Sequence, residues 1–113
     1  MTARKCLLIL LVLTSCFTIF THPLTGQTTN RQALIWYKTA LDAEDENSKI
    51  EAYLKAIEID PNFVEALYNL GILYRKIKEF DLAEKYLNQA YNARPEFIKK
   101  EFKAQILYDL YTV

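Results

Sequence analysis

The chain has 113 residues, 51% of them apolar, with only two glycines and three prolines, which leaves room for one small helix-rich globular domain and excludes a second. Fourteen basic and fourteen acidic residues cancel; with Arg4 and Lys5 assigned to an N-terminal leader, the body keeps twelve basic against fourteen acidic. Such a body has no basic footprint for nucleic acid and no polybasic patch for anionic lipid.

Arg4 and Lys5 precede an apolar run of about fifteen residues, Cys6 to Phe20, the layout of a secretory signal peptide. The run is shorter than the roughly 20 residues that cross a bilayer, and His22-Pro23 ends it. Residues 1–26 are therefore read as a leader, and the protein is expected to be exported as a periplasmic, secreted or membrane-tethered envelope protein. Two processing routes stay open. Leu13-Thr14-Ser15-Cys16 resembles the lipobox of bacterial lipoproteins, which makes Cys16 a lipidation site, although Phe17 to Phe20 carry the apolar run past that cysteine. Cleavage near Gly26-Gln27 is the other route. Membrane contact is expected only through the leader or a lipid anchor. Cys6 and Cys16 are the only cysteines, so a body spanning residues 27–113 has no disulfide.

Thr25 to Asn30 is a short polar tether. Beyond it, Ala33, Trp36, Tyr37 and Ala40 share one face of a first helix, and Ile50, Tyr53, Leu54, Ala56 and Ile57 one face of a second. Ser48 with Glu51 three places on fits a capping box at the start of the second helix, and Asn62 with Glu65 offers the same arrangement at the third. Glu44-Asp45-Glu46-Asn47 reads as a solvated acidic turn.

The stretch from Asn62 to Pro95 is the most regular. Phe63, Ala66, Leu67, Leu70, Leu73, Tyr74 and Ile77 form one helical apolar face; Phe80, Leu82, Ala83, Tyr86, Leu87, Ala90 and Tyr91 form the next. Lys78-Glu79-Phe80-Asp81 is too short for anything but a tight turn. The two helices must then be antiparallel, approaching closely at Gly71, Ala83 and Ala90. Pro61 and Pro95, each followed two places on by a phenylalanine, lie 34 residues apart. Leu67, Leu70, Gly71, Tyr74, Phe80, Ala83, Leu87, Ala90 and Pro95 fall at the spacings of the tetratricopeptide repeat, and this stretch resembles one unit of that 34-residue helical hairpin. Carried back by one period, the resemblance extends to the first two helices with departures: Tyr37 stands where glycine is usual, Ala40 where tyrosine is usual and Lys49 where alanine is usual. Tyr37 with Ala40 is readable as a compensated packing swap, and Lys49 as a charge that snorkels past its apolar stem.

Phe97, Phe102, Ile106, Leu110 and Tyr108 give a further amphipathic helix, with Lys99, Lys100 and Lys103 on its other side. Solenoids need a terminal helix with a polar outer face, but Tyr108, Leu110, Tyr111 and Val113 make an apolar ending. The resemblance therefore implies an all-α fold, an α-solenoid of antiparallel helical hairpins: a first repeat at about 28–61, a second at 62–95 and a capping helix in 96–113. Two hairpins and one helix are few for a stable array, so marginal stability or self-association is expected.

The chemistry of catalysis is thin. His22 is the only histidine, and there is no glycine-rich phosphate loop and no cysteine in the body. No enzyme activity, metal or cofactor is expected. The resemblance implies instead a concave groove lined by the first helix of each hairpin, mapping to Glu65, Tyr68, Asn69, Ile72, Arg75 and Lys76 in the second unit and to Leu34 and Lys38 in the first. Such a groove suits an extended or helical protein or peptide partner with some negative charge. Chaperone-adaptor members of the family hold a terminal carboxylate at positions matched by Asn69, Lys99 and Lys103, but Leu34 stands where a lysine is expected. The alternative is a structural or assembly component that self-associates through its irregular first repeat and C-terminal helix.

Overall fold

The computed structural model describes residues 28–93 and 99–113, where it has five helices and no strand. They are α1 (Arg31–Asp42), α2 (Glu46–Ile59), α3 (Val64–Lys76), α4 (Phe80–Asn92) and α5 (Lys100–Tyr111). The leader with Cys16, and the segment with Pro95 and Phe97, lie outside the described residues. Each helix packs on the next along the chain, most extensively α1 on α2 and α3 on α4. The result is two antiparallel hairpins followed by a single helix.

Local chemistry sets the helix ends. Asn30 Oδ1 caps α1 by accepting from the backbone N–H groups of Gln32 (2.9 Å) and Ala33 (3.3 Å). The cap of α2 differs from the Ser48–Glu51 box expected from sequence: Asp45 accepts from Ser48 N–H at 2.8 Å and from the Ser48 hydroxyl at 2.6 Å. Ser48 is thus the third residue of the helix, and Glu51 pairs with Lys55 at 3.0 Å. Asp45 and Ser48 are both good capping residues, and the one placed earlier in the chain wins because the helix can begin a turn sooner. The acidic turn is correspondingly shorter than expected, with Glu46 and Asn47 already helical.

Asn62 does not cap α3 either. The cap position is Phe63, which has no capping side-chain bond; Asn62 instead gives its N–H to Asp60 Oδ1 at 3.1 Å in an Asx turn around Pro61. Between α3 and α4 the turn is Ile77-Lys78-Glu79, one residue earlier than expected. Lys78 takes a left-handed φ of 67° while its N–H reaches Arg75 O and that of Glu79 reaches Tyr74 O. This is a Schellman closure with lysine where glycine is usual. Phe80 therefore opens α4 at the helix's exposed start and is 48% exposed rather than part of the apolar face. Leu54 is likewise on the outside of α2.

The core is continuous along the array. One cluster holds Ala33, Ala40, Ala52, Tyr53, Ala56, Phe63, Ala66, Leu70, Leu73, Tyr74 and Ala83; the second holds Val64, Leu67, Ala90, Ala93 and Ile106. Ile57 and Tyr86 pack against both. The close approach expected at Gly71 is present: a Cβ there would lie 2.8 Å from Leu87 Cγ. In the first hairpin the buried small residues are Ala33, Ala40, Ala52 and Ala56. That leaves Tyr37 free to reach across, with ring centroids 5.9 Å from Tyr53 and 4.9 Å from Phe63.

Candidate functional site

Helix α3 divides its polar side between two neighbours. Asn69, Ile72 and Lys76, three and four residues apart, border a groove of about 370 Å³ whose remaining lining is Leu41 from α1, Lys49 and Tyr53 from α2, and Tyr68 and Leu73 from α3. Tyr68 and Arg75, seven residues apart, reach instead to α5. Tyr68, Asn69, Ile72 and Lys76 thus line one groove. Leu41, Lys49 and Tyr53 join them from α1 and α2, contributions that helical spacing within α3 could not identify, and Leu73 joins from the apolar face of α3. Lys49 had a signal in its departure from the small residue usual at that place. Lys38 is exposed and Glu65 partly buried, and neither borders the groove.

Two of the groove residues are fixed by hydrogen bonds to other elements. Asn69 Nδ2 donates to the Tyr37 hydroxyl at 3.1 Å, tying α3 to α1. Burial pushes the Tyr37 hydroxyl pKa up despite the opposing Asn69 bond. At the groove's end Lys76 Nζ meets Glu46 Oε1 at 2.8 Å, and both side chains are well exposed. Lys49 makes no ion pair with a described residue.

On the α5 side, Asp109 is the focus. It is only 4% exposed, although it sits on the helix that reads as a polar cap. Its Oδ2 accepts from the Tyr68 hydroxyl at 2.7 Å and from Gln105 Nε2 at 2.9 Å, and its Oδ1 accepts from Arg75 Nη1 at 3.0 Å. Arg75 Nη1 also donates to the Thr112 hydroxyl at 3.2 Å. The Tyr68 ring meets Phe102 edge-on, with centroids 5.1 Å apart. Burial alone would raise the Asp109 pKa, but the bonds from Gln105, Tyr68 and Arg75, with the Arg75 charge, outweigh it and hold the carboxyl below its usual value. Burial first, and then the bond to Asp109, push the Tyr68 hydroxyl up to about 12. Near neutral pH, then, Asp109 stays ionised and Tyr68 stays protonated. The pair can hold a helix but is poorly poised to exchange a proton. Arg75, expected to face a partner, is committed to this contact.

Among the described residues no group of three or more His, Cys, Asp or Glu side chains is placed to hold a metal ion, and no helix is long and apolar enough to cross a membrane. What the site offers is a surface with an apolar floor, hydrogen-bonding Asn69 and Tyr68, and two ammonium groups at its border.

The model of the tetratricopeptide repeat family matches residues 52–85, one 34-residue period running from within α2 to within α4. Among curated proteins the chain is similar to the probable UDP-N-acetylglucosamine–peptide N-acetylglucosaminyltransferase SPINDLY of Oryza sativa subsp. japonica, with 39% identity over 46 residues. It is 37% identical over 46 residues to the protein of the same description from Hordeum vulgare. Each alignment covers 41% of this chain and 5% of the relative. The matched period, the two stacked hairpins and the glycine where α3 and α4 approach closely agree, and the chain carries a tetratricopeptide repeat within its all-α array of helical hairpins, a repeat that supports protein–protein interaction.

Proposed function

We propose that this chain is a non-enzymatic module that binds a protein or peptide in the groove bordered by α1, α2 and α3, within an exported protein. The observation that carries the reading is the convergence of Leu41, Lys49 and Tyr53 with Tyr68, Asn69, Ile72 and Lys76 from three helices on one open depression. A rigid trough with an apolar floor and a few fixed polar groups is the form that peptide recognition takes. Asn69 and Tyr68 are held by Tyr37 and Asp109 before any partner arrives, so ordering them costs a ligand little. The 46-residue likeness to the two transferases covers 5% of each and lends no support to a transferase reading. Export is inferred from the charged and apolar leader, with lipidation at Cys16 or cleavage near Gly26 as its two endings.

The test is site-specific photo-crosslinking in the native host, with a benzoylphenylalanine in place of Ile72 in the groove and of Glu58 on the exposed side of α2. A discrete adduct from position 72 that position 58 does not give is the expected result. Equal adducts from both positions, or none from 72, would sink the groove reading. Because Arg75 holds α5, charge reversal is better placed at Lys76 than at Arg75.

A second reading has its own observation. Leu107, Tyr108 and Tyr111 on α5 are 50%, 64% and 90% exposed and share one face. Burying them between two copies would make the protein a self-associating assembly component. Sedimentation across a hundredfold range of protein concentration separates the two readings, since a constant monomer mass excludes the second.

A further inference from the structure

We infer that the border of the groove where Lys49 and Lys76 stand is a carboxylate-binding site for an acidic side chain of the bound peptide, and that Glu46 of this chain occupies Lys76 in the ligand's absence. This rests on the groove reading above and adds the charge of the ligand to it. Lys49 and Lys76 come from different helices, α2 and α3, and both line the groove. Lys49 has no anionic partner among the described residues. Lys76 already displays the proposed contact, with the Glu46 carboxylate 2.8 Å from its ammonium group.

Glu46 is not one of the groove-lining residues; it reaches Lys76 from the first residue of α2. With 70% of the Lys76 side chain and 42% of the Glu46 side chain exposed, the pair is of the weak, solvent-screened kind that another carboxylate replaces at small cost. The neighbouring Leu41, Ile72 and Leu73 supply apolar contact. The ligand chemistry that fits both is a peptide in which glutamate or aspartate alternates with aliphatic residues. The side chain of Glu46 would return to water on binding, and both lysines would share the incoming charge.

The experiment is fluorescence anisotropy on the full chain with two labelled probes, a peptide alternating glutamate and leucine and the same peptide with glutamine for glutamate. The expected result is preference for the glutamate probe, lost as salt rises through the range where exposed charges are screened. Lys49→Gln should weaken that probe alone. Glu46→Gln should tighten it by about two- to five-fold, the scale of an exposed ion pair, with no effect on the glutamine probe. Equal binding of both probes, abolished by Ile72→Glu, would overturn the carboxylate site and leave the groove reading standing. Preference for the glutamate probe that Glu46→Gln does not strengthen would overturn the role of Glu46, and binding of neither probe would overturn the site. Circular dichroism of each variant establishes that the helices are intact, and Lys49→Gln and Lys76→Gln serve as independent reports on the same charge.

Discussion

At the scale of single residues, Lys78 is set by its backbone conformation and Gly71 by a close contact. Lys78 holds a left-handed backbone at the end of α3 because the Schellman bonds from its own N–H and that of Glu79 close the helix there. Gly71 is present for a different reason. Its backbone is ordinary helix, and what it provides is the missing Cβ beneath Leu87. In an open helix Gly71→Ala would gain about 1 kcal/mol from helix propensity. Here the new carbon would lie 2.8 Å from Leu87 Cγ, 3.0 Å from Leu87 Cδ2 and 3.2 Å from Leu87 N. Leu87 is fully buried and one of these atoms is backbone, so it cannot swing aside as a surface side chain would. Overpacking of this kind costs about 1–3 kcal/mol and outweighs the propensity gain. Gly71→Ala is expected to lower stability by about 1 kcal/mol and at most about 2 kcal/mol, the overpacking cost less the propensity gain, read as a lower urea midpoint at unchanged slope. An unchanged or higher midpoint would mean that the two helices slide apart without loss.

At the scale of elements, α5 is held by the Asp109 contact together with Ile106, and the contact titrates at both ends of the pH scale. Asp109 has a lowered pKa in the folded protein. The unfolded chain therefore binds its proton more readily, and the stabilisation, present above the usual carboxylate pKa, is lost as pH falls below about 4. Tyr68 is the opposite case. With its folded value raised from 10.0 to about 12, the folded state keeps the proton longer, and stability falls as pH rises from about 10 to about 12. Denaturant midpoints are expected to decline at both extremes. Tyr68→Phe should flatten the alkaline decline, and Asp109→Ala should lower the unfolding free energy at neutral pH by about 2–4 kcal/mol, since it strips a buried anchor from Arg75. An alkaline decline unchanged in Tyr68→Phe would assign it to other groups.

The same elements mark what could be read from the chain before its fold. The hairpins were legible because apolar spacing, the 34-residue interval between Pro61 and Pro95, and Gly71 all specify the same geometry. The cap of α2 was displaced by one turn because Asp45 and Ser48 compete for one role. Asp109 and Arg75 were not legible at all: they meet across 34 residues of sequence, and an acid on an amphipathic helix reads as solvated until the neighbouring helix is in place. Leu41, Lys49 and Tyr53 were missed in the groove for the same reason, since they lie on helices whose contribution depends on how the two hairpins stack.

At the scale of the whole molecule, the question is whether two hairpins and a helix unfold together. In a solenoid, stability divides into the intrinsic terms of each unit and the interfaces between neighbours, so a short array can lose one end before the other. This array has a continuous seam, with Ile57 and Tyr86 packed against both clusters of its core. Ile106 is the fully buried contribution of α5 to the second cluster, beside Val64, Leu67 and Ala90. Trp36, the only tryptophan, lies in α1, beneath the ammonium group of Lys55 at 4.4 Å. The two residues report on opposite ends. Ile106→Ala is expected to cost about 2–4 kcal/mol and, if the seam couples the ends, to move the Trp36 fluorescence midpoint and the loss of helicity by the same amount. Two separated transitions, with Trp36 unmoved, would show that α5 and the second hairpin can melt while the first stays folded. Interface energy between the hairpins would then be smaller than the intrinsic stability of the first, which its many buried alanines make difficult. Each buried alanine removes less apolar surface from water than a leucine does, so α1 and α2 depend on α3 for much of their burial. A single coupled transition is the outcome this distribution of side chains favours.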